Sequence, residues 1–157
     1  MPAQPPTDLP AAPPDADPAA GAAQALMPVA RLQQMPLFGG LSADALDHLL
    51  QQAGVVAVAA GQPFFREGDA ADSMFVLARG RAEVRKGWQG REVPLRTLEE
   101  GDCFGEMALM DLQPRSATVL ALDDCRALVF GPAHLLRLYE HDIEQFALLQ
   151  MNLGREI

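Results

Sequence analysis

The sequence predicts a mainly β fold with flanking helices, built as a sandwich, jelly roll or barrel, and three observations carry that expectation. Between Val55 and Phe130 short apolar or alternating runs recur at close intervals. Glycine punctuates them, at Gly61, Gly68-Asp69, Gly80, Gly87, Gly90 and Gly101-Asp102. Strands spaced this way, with turn signals between them, pair antiparallel. The gaps leave no room for the crossover helices that a parallel sheet needs. Helical periodicity is confined to the two flanks.

Taken in order, residues 1–30 differ in composition from the rest. Pro2, Pro5, Pro6, Pro10, Pro13, Pro14, Pro18 and Pro28 are set among Ala, Asp, Gln and Gly, and no Lys or Arg precedes Arg31. A signal peptide would want a positive start and an apolar stretch. The composition instead predicts a disordered, partly polyproline-like tail over 1–30, acting as a solubilising leader, and a folded domain over 31–157. Asp8, Asp15 and Asp17 make that tail acidic.

Ser42 reads as an N-cap, with Asp44 in the positive first turn and Leu41 positioned to staple against Leu46. Leu46, Leu49, Leu50 and Ala53 form one apolar face, and Gly54 ends the helix. The predicted strands are Val55–Ala59, Pro63–Arg66, Met74–Ala78, Ala82–Lys86, Glu92–Leu98, Ala117–Leu122 and Arg126–Phe130, with a further strand through Cys103-Phe104. Gly131-Pro132 opens a helix carrying Leu135, Leu136 and Leu138. A last helix starts at Asp142 with Gln145 completing a capping box, and Ile143, Phe146, Leu149, Leu153 and Ile157 form its apolar stripe. A helix-turn-helix module would need many more residues than follow.

Composition excludes several function classes. Twelve Lys and Arg against 21 Asp and Glu leave a formal charge of −9, the wrong sign for a nucleic-acid or anionic membrane surface. No apolar run approaches the roughly 20 residues of a bilayer span. Cys103 and Cys125 make neither a disulfide scaffold nor a zinc cluster, so a reducing, cytoplasmic setting is expected. His48, His134 and His141 fall on helices, whereas a metal-dependent jelly-roll enzyme would cluster histidines on strands, so no metal is expected.

The informative interruption lies between Gly101 and Val119. Gly101-Asp102-Cys103-Phe104 runs into Gly105-Glu106-Met107-Ala108-Leu109-Met110, and after Pro114 a strand resumes through Arg115-Ser116-Ala117-Thr118-Val119. One helical turn after Gly105 would present N–H groups to an anion, and Gly105 would let a ligand approach the backbone. Arg115 supplies a planar cationic fork suited to phosphate, and Glu106 an acceptor suited to vicinal hydroxyls. Together they describe a sugar-phosphate pocket. A Glu and an Arg nine residues apart can also simply pair across a bent loop.

Phe104-Gly105-Glu106-Met107-Ala108-Leu109, a short gap, and Pro114-Arg115-Ser116-Ala117-Thr118-Val119 resemble the phosphate-binding cassette of cyclic-nucleotide-binding domains. That family includes catabolite-activator and kinase-regulatory-subunit sensors and gated channels. Leu37-Phe38 with Leu41-Ser42, the stretch Gly61 to Gly80, and Gly101 to Glu106 are similar to other parts of it, so the resemblance covers about residues 35–157. It implies a double-stranded jelly-roll β-barrel with a helical N-terminal entry and C-terminal lid helices. It also implies a ligand site of Gly105, Glu106, Met107, Ala108, Arg115, Ser116 and Ala117. Glu106 would accept from the ribose 2′-hydroxyl, Arg115 would pair with the cyclic phosphate, and the N–H groups of Ala108 and Ser116 would complete the cradle. Ser at position 116 leans toward cAMP over cGMP. The last helix would close over the purine, with Gln150, Asn152 and Arg155 as candidate readers of the base.

Nothing in the cassette supplies a general base and activated water, so a receiver rather than an enzyme is expected. Ligand would reposition the C-terminal helices for an effector protein, and the last helix could also form a homodimer. The competing expectations are a degenerate fold serving as an interaction module, and a truncated transcription regulator. Cys103 and Cys125 read as small buried apolar residues. Trp88 reads as a hairpin-tip aromatic, and Arg79, Arg81, Arg85, Lys86, Arg91 and Arg96 as solvated strand faces.

Overall fold

The computed structural model describes residues 21–110 and 113–156. Among them, eight strands form two four-stranded antiparallel sheets. One has the order β1 (Gly54–Val58), β8 (Cys125–Phe130), β3 (Met74–Arg79), β6 (Cys103–Phe104). The other runs β2 (Pro63–Phe65), β7 (Thr118–Ala121), β4 (Ala82–Trp88), β5 (Arg91–Leu98). The predicted runs survive with ends moved by a residue or two. The helices are α1 (Ala22–Leu26), α2 (Val29–Leu32), α3 (Ala43–Gln52), α4 (Met107–Met110), α5 (Pro132–His141) and α6 (Ile143–Glu156), with a 3-10 turn at Pro36–Phe38.

Two apolar cores share the first sheet. Successive side chains of a strand point to opposite faces. Met74, Val76 and Ala78 of β3, with Leu128 and Phe130 of β8, pack under the helices. Phe75, Leu77, Ala127, Val129 and Phe104 of β6 face the second sheet, against Phe64, Leu98 and Val119. This double burial explains why β3 reads as a continuous apolar run instead of an alternation. The register Gly54↔Val129 through Val58↔Cys125 holds β1 on the outer side of β8.

Several local expectations change. Residues 21–30 are not tail: α1 and α2 lie against α3, and Ala23, Met27 and Leu32 are buried in the helix-side core. The prolines masked this, although the Ala-Leu-Met content there is apolar enough to bury. Residues 1–20 of the predicted tail lie outside the described residues. Ser42 caps α3 as expected, its Oγ accepting from Ala45 N at 3.1 Å, but α3 stops at Gln52, and Gly54 already belongs to β1.

Asp142 caps α6 through Gln145 N at 3.2 Å, while the Gln145 side chain does not complete a box. Its Oε1 instead accepts from the backbone N of Ser42 at 2.8 Å. Leu149 and Leu153 are buried as the stripe predicts, but Ile143, in the first turn of α6, is exposed. Ile157 lies outside the described residues.

Candidate functional site

The site forms where β6 ends. Phe104 pairs with Phe75 across the sheet and stacks on it, with centroids 5.2 Å apart. Gly105 follows with φ +77°, a conformation that L side chains rarely adopt. A Cβ there would stand 2.7 Å from Arg115 Nη1 and 3.3 Å from Ser73 O. Glycine is therefore required twice, for its backbone angle and for the space the guanidinium occupies. The single turn of α4 comes next, closed by Ala108 N to Gly105 O at 3.1 Å and Leu109 N to Glu106 O at 3.0 Å. The Ala108 N–H, expected to await an anion, is thus engaged within its own turn.

Arg115 is held from both sides of its backbone. Its N–H donates to Asp69 O and its carbonyl accepts from Gly68 N, each at 2.8 Å. The side chain is buried. Nη2 donates to Ser73 O at 2.7 Å, Nη1 to Gly105 O at 3.3 Å, and Cζ lies 3.9 Å from the centroid of the Phe65 ring. Nε is buried with no hydrogen-bond partner among the described residues. Burial pushes the guanidinium below its ordinary pKa, and the carboxylates of Asp72 and Asp69 oppose that shift. A cation placed this way costs desolvation energy, and an anion at its free edge would offset that cost.

Beside it, Lys86 Nζ donates to Ser116 O at 2.6 Å and lies 3.1 Å from Glu67 Oε2. The Gly87 N–H donated to Glu67, and then Lys86, lower the Glu67 pKa.

A cavity of about 290 Å³ opens against this segment, near the lower end of the roughly 300–1,000 Å³ typical of small-molecule sites. All seven sequence-derived site residues, Gly105, Glu106, Met107, Ala108, Arg115, Ser116 and Ala117, line it. Phe65, Val84, Leu98, Phe104 and Val119 supply an apolar wall. Sequence reasoning missed Arg96, which lines the cavity from β5 instead of merely facing solvent. The available signal was hairpin register: the Gly87–Gly90 turn sets Val84 opposite Arg96, and Val84 points into the cavity. Cys103 was read as simply buried, yet it is half-buried and lines the same cavity.

The terminal helix is not over this cavity. Among the described residues, none of α5 or α6 lines it. Asn152 is buried elsewhere, its Nδ2 donating to Leu37 O and Gly39 O at 2.9 Å each, and Arg155 Nη2 donates to Asn152 Oδ1. Of the three candidate base readers, Asn152 is therefore spent on the 3-10 turn and its C-cap, and Arg155 on Asn152. His134 joins α5 to α3, its Nδ1 accepting from Gly131 N at 2.8 Å and its Nε2 donating to Gln52 O at 2.6 Å. Among the described residues no His, Cys, Asp and Glu group could hold a metal, and no helix is long and apolar enough to cross a membrane.

Comparison with known proteins agrees with this geometry. The sequence model of the cyclic nucleotide-binding domain matches residues 55–142. A cAMP-dependent protein kinase regulatory subunit of Aspergillus niger is 34% identical over 114 residues, covering 68% of this chain and 26% of that protein. The cyclic AMP receptor protein of Thermus thermophilus is 34% identical over 94 residues, covering 59% of this chain and 44% of that protein. Among solved structures, the N-terminal domain of a Streptomyces coelicolor transcriptional regulator superposes with a TM-score of 0.75 at 28% identity, over 80% of this chain and 91% of that one. The Thermus thermophilus catabolite activator protein gives 0.69 at 30% identity, over 76% and 55%. The chain spans about a quarter of the length of the kinase subunit it matches.

Proposed function

This chain belongs to the cyclic nucleotide-binding domain family, and on that premise we propose that it is a signal receiver for a cyclic purine nucleotide, cAMP before cGMP. The observation that carries the reading is Arg115: a buried guanidinium on the cavity wall, oriented by Ser73 O and Gly105 O, with Nε unpartnered among the described residues. Its charge suits the cyclic phosphate, and Glu106 suits the ribose 2′-hydroxyl. The apolar wall of Phe65, Val84 and Leu98 suits the sugar and base faces.

The role is reception without turnover. Binding would favour a state in which α6 leaves the 3-10 turn and covers the cavity, and the shift can be no larger than the ligand's differential affinity for the two states. Leu136, Tyr139, Ile143 and Met151, exposed along α5 and α6, support a helix face read by an effector protein.

Calorimetric titration with cAMP and cGMP tests this on the wild type, Arg115→Lys and Glu106→Gln. Saturable binding of one nucleotide, weakened about tenfold or more in Arg115→Lys, is the expected result, since a charge-assisted fork is worth about 1.5–3 kcal/mol. Absence of heat and of thermal stabilisation with both nucleotides would overturn it.

A further inference from the structure

The ladder between β4 and β7 ends at Arg85↔Thr118. On the far side of Thr118 the chain has left the sheet as Ser116 and Ala117, which line the cavity. Lys86 stands at that step. It shares a face of β4 with the cavity-lining Val84 by strand alternation, and its side chain takes over where backbone pairing stops. Nζ donates to Ser116 O at 2.6 Å and lies 3.1 Å from Glu67 Oε2. Glu67 is fixed in turn: its backbone N donates to Thr118 Oγ1 at 2.9 Å, and its Oε1 accepts from Gly87 N at 2.9 Å. A Cβ at Gly87 would meet that Oε1 at 3.3 Å, so glycine lets the carboxylate lie close against the hairpin. The Lys86 side chain is 45% exposed and that of Glu67 37%, too open for the pair to add much to global stability.

We propose that Lys86 is a positioning residue for anion recognition in this cavity, acting through the Ser116–Ala117 peptide and held in place by Glu67; for its ligand the inference rests on the receiver reading above. A trans peptide is planar, so an ammonium on the Ser116 carbonyl also fixes the direction of the Ala117 N–H. The preceding peptide is fixed in the same way, by Gly68 N donating to Arg115 O at 2.8 Å. Two successive N–H groups, on residues that line the cavity, are thus oriented before any ligand arrives, which lowers the ordering cost of binding. A plain charge effect makes the opposite prediction for Glu67. If Lys86 only raised the local positive potential, removing the Glu67 carboxylate would strengthen anion binding. If the carboxylate anchors Lys86 on Ser116 O, removing it weakens binding.

The test titrates the full chain with cAMP, cGMP, adenosine and inorganic phosphate, by calorimetry and by nitrogen-15 amide shifts. Lys86→Met should weaken binding of the recognised nucleotide about threefold to fivefold, and leave the response to adenosine, which lacks the phosphate, unchanged. Lys86→Arg keeps a donor and should recover part of the loss. Glu67→Gln should weaken binding too, with little further loss when combined with Lys86→Met. These losses should persist at about 0.5 M salt, where through-space charge effects are screened. In the ligand-free protein Lys86→Met should move the amide resonance of Ala117 and barely change Tm. Tighter nucleotide binding in Glu67→Gln, equal losses for adenosine and nucleotide, or an unmoved Ala117 amide would overturn the proposal. A wild type that binds neither nucleotide, but whose Ser116 and Ala117 amides respond to inorganic phosphate and respond less in Lys86→Met, would overturn the receiver reading and keep this one. Silence toward phosphate as well would overturn both.

Discussion

Arg115 and Arg126 are eleven positions apart in sequence, line different cavities and stand in opposite conditions. Arg115 is buried, gives Nη1 and Nη2 to two backbone carbonyls and lies over the Phe65 ring. Arg126 is exposed beside Arg79, and among the described residues nothing pairs with either. A buried cation must be satisfied on all sides, so it organises the loops around it and any gap in its coordination becomes a demand for a ligand. An exposed cation is already hydrated and organises little; its influence is long-ranged, weak and sensitive to salt. The same residue type is structural and recognitional in the first place and electrostatic in the second.

Four substitutions would break or sharpen that contrast. Arg115→Ala should have the largest effect: loss of the donors to Ser73 O and Gly105 O should cost about 1.5–3 kcal/mol in chemical denaturation, alongside at least tenfold weaker nucleotide binding. Gly105→Ala should cost about 1–3 kcal/mol, because φ +77° is strained for alanine and its Cβ meets Nη1 at 2.7 Å. That loss should shrink in an Arg115→Ala background, where the clash is absent, and a double-mutant cycle reads the coupling. Phe65→Leu should cost about 1 kcal/mol in thermal melting, since it removes the ring beneath the guanidinium but keeps an apolar side chain. Arg126→Ala should change stability by less than about 0.5 kcal/mol and leave nucleotide titrations untouched. An effect of Arg126→Ala equal to that of Arg115→Ala would erase the distinction.

The β framework was legible in the sequence because short apolar runs are separated by glycine at every strand connection except the one between β7 and β8. The cassette was legible because its residues are contiguous: Gly105 to Ala108 and Arg115 to Ala117 reach one cavity without help from distant registers. What escaped depends on partners far along the chain. Arg96 enters the cavity through hairpin pairing, which sets it opposite Val84. Gln145 has the spacing of a local capping residue, yet its acceptor finds a better donor in the first turn of the N-terminal helical layer, at Ser42. Asn152 and Arg155 were expected to read a base, but the carbonyls of Leu37 and Gly39, more than a hundred positions earlier, take the two donors of Asn152. In α1 and α2, composition was misleading, because proline density nearby hid apolar residues that the core could still use.

Gln145 and Asn152 give the protein a schedule as well as a shape. The backbone groups they satisfy lie at residues 37, 39 and 42, separated from them by 103 to 115 positions. On the ribosome the segment from residue 37 to residue 42 emerges more than a hundred residues before the side chains that satisfy it. The entry to α3 must therefore rely on water until α6 has emerged, and the helical layer closes only then, over a β framework in which, among the described strands, only β4 and β5 pair as sequence neighbours. A chain ending before Gln145 should retain the β4–β5 hairpin while the turn at Pro36–Phe38 exchanges its amide hydrogens freely.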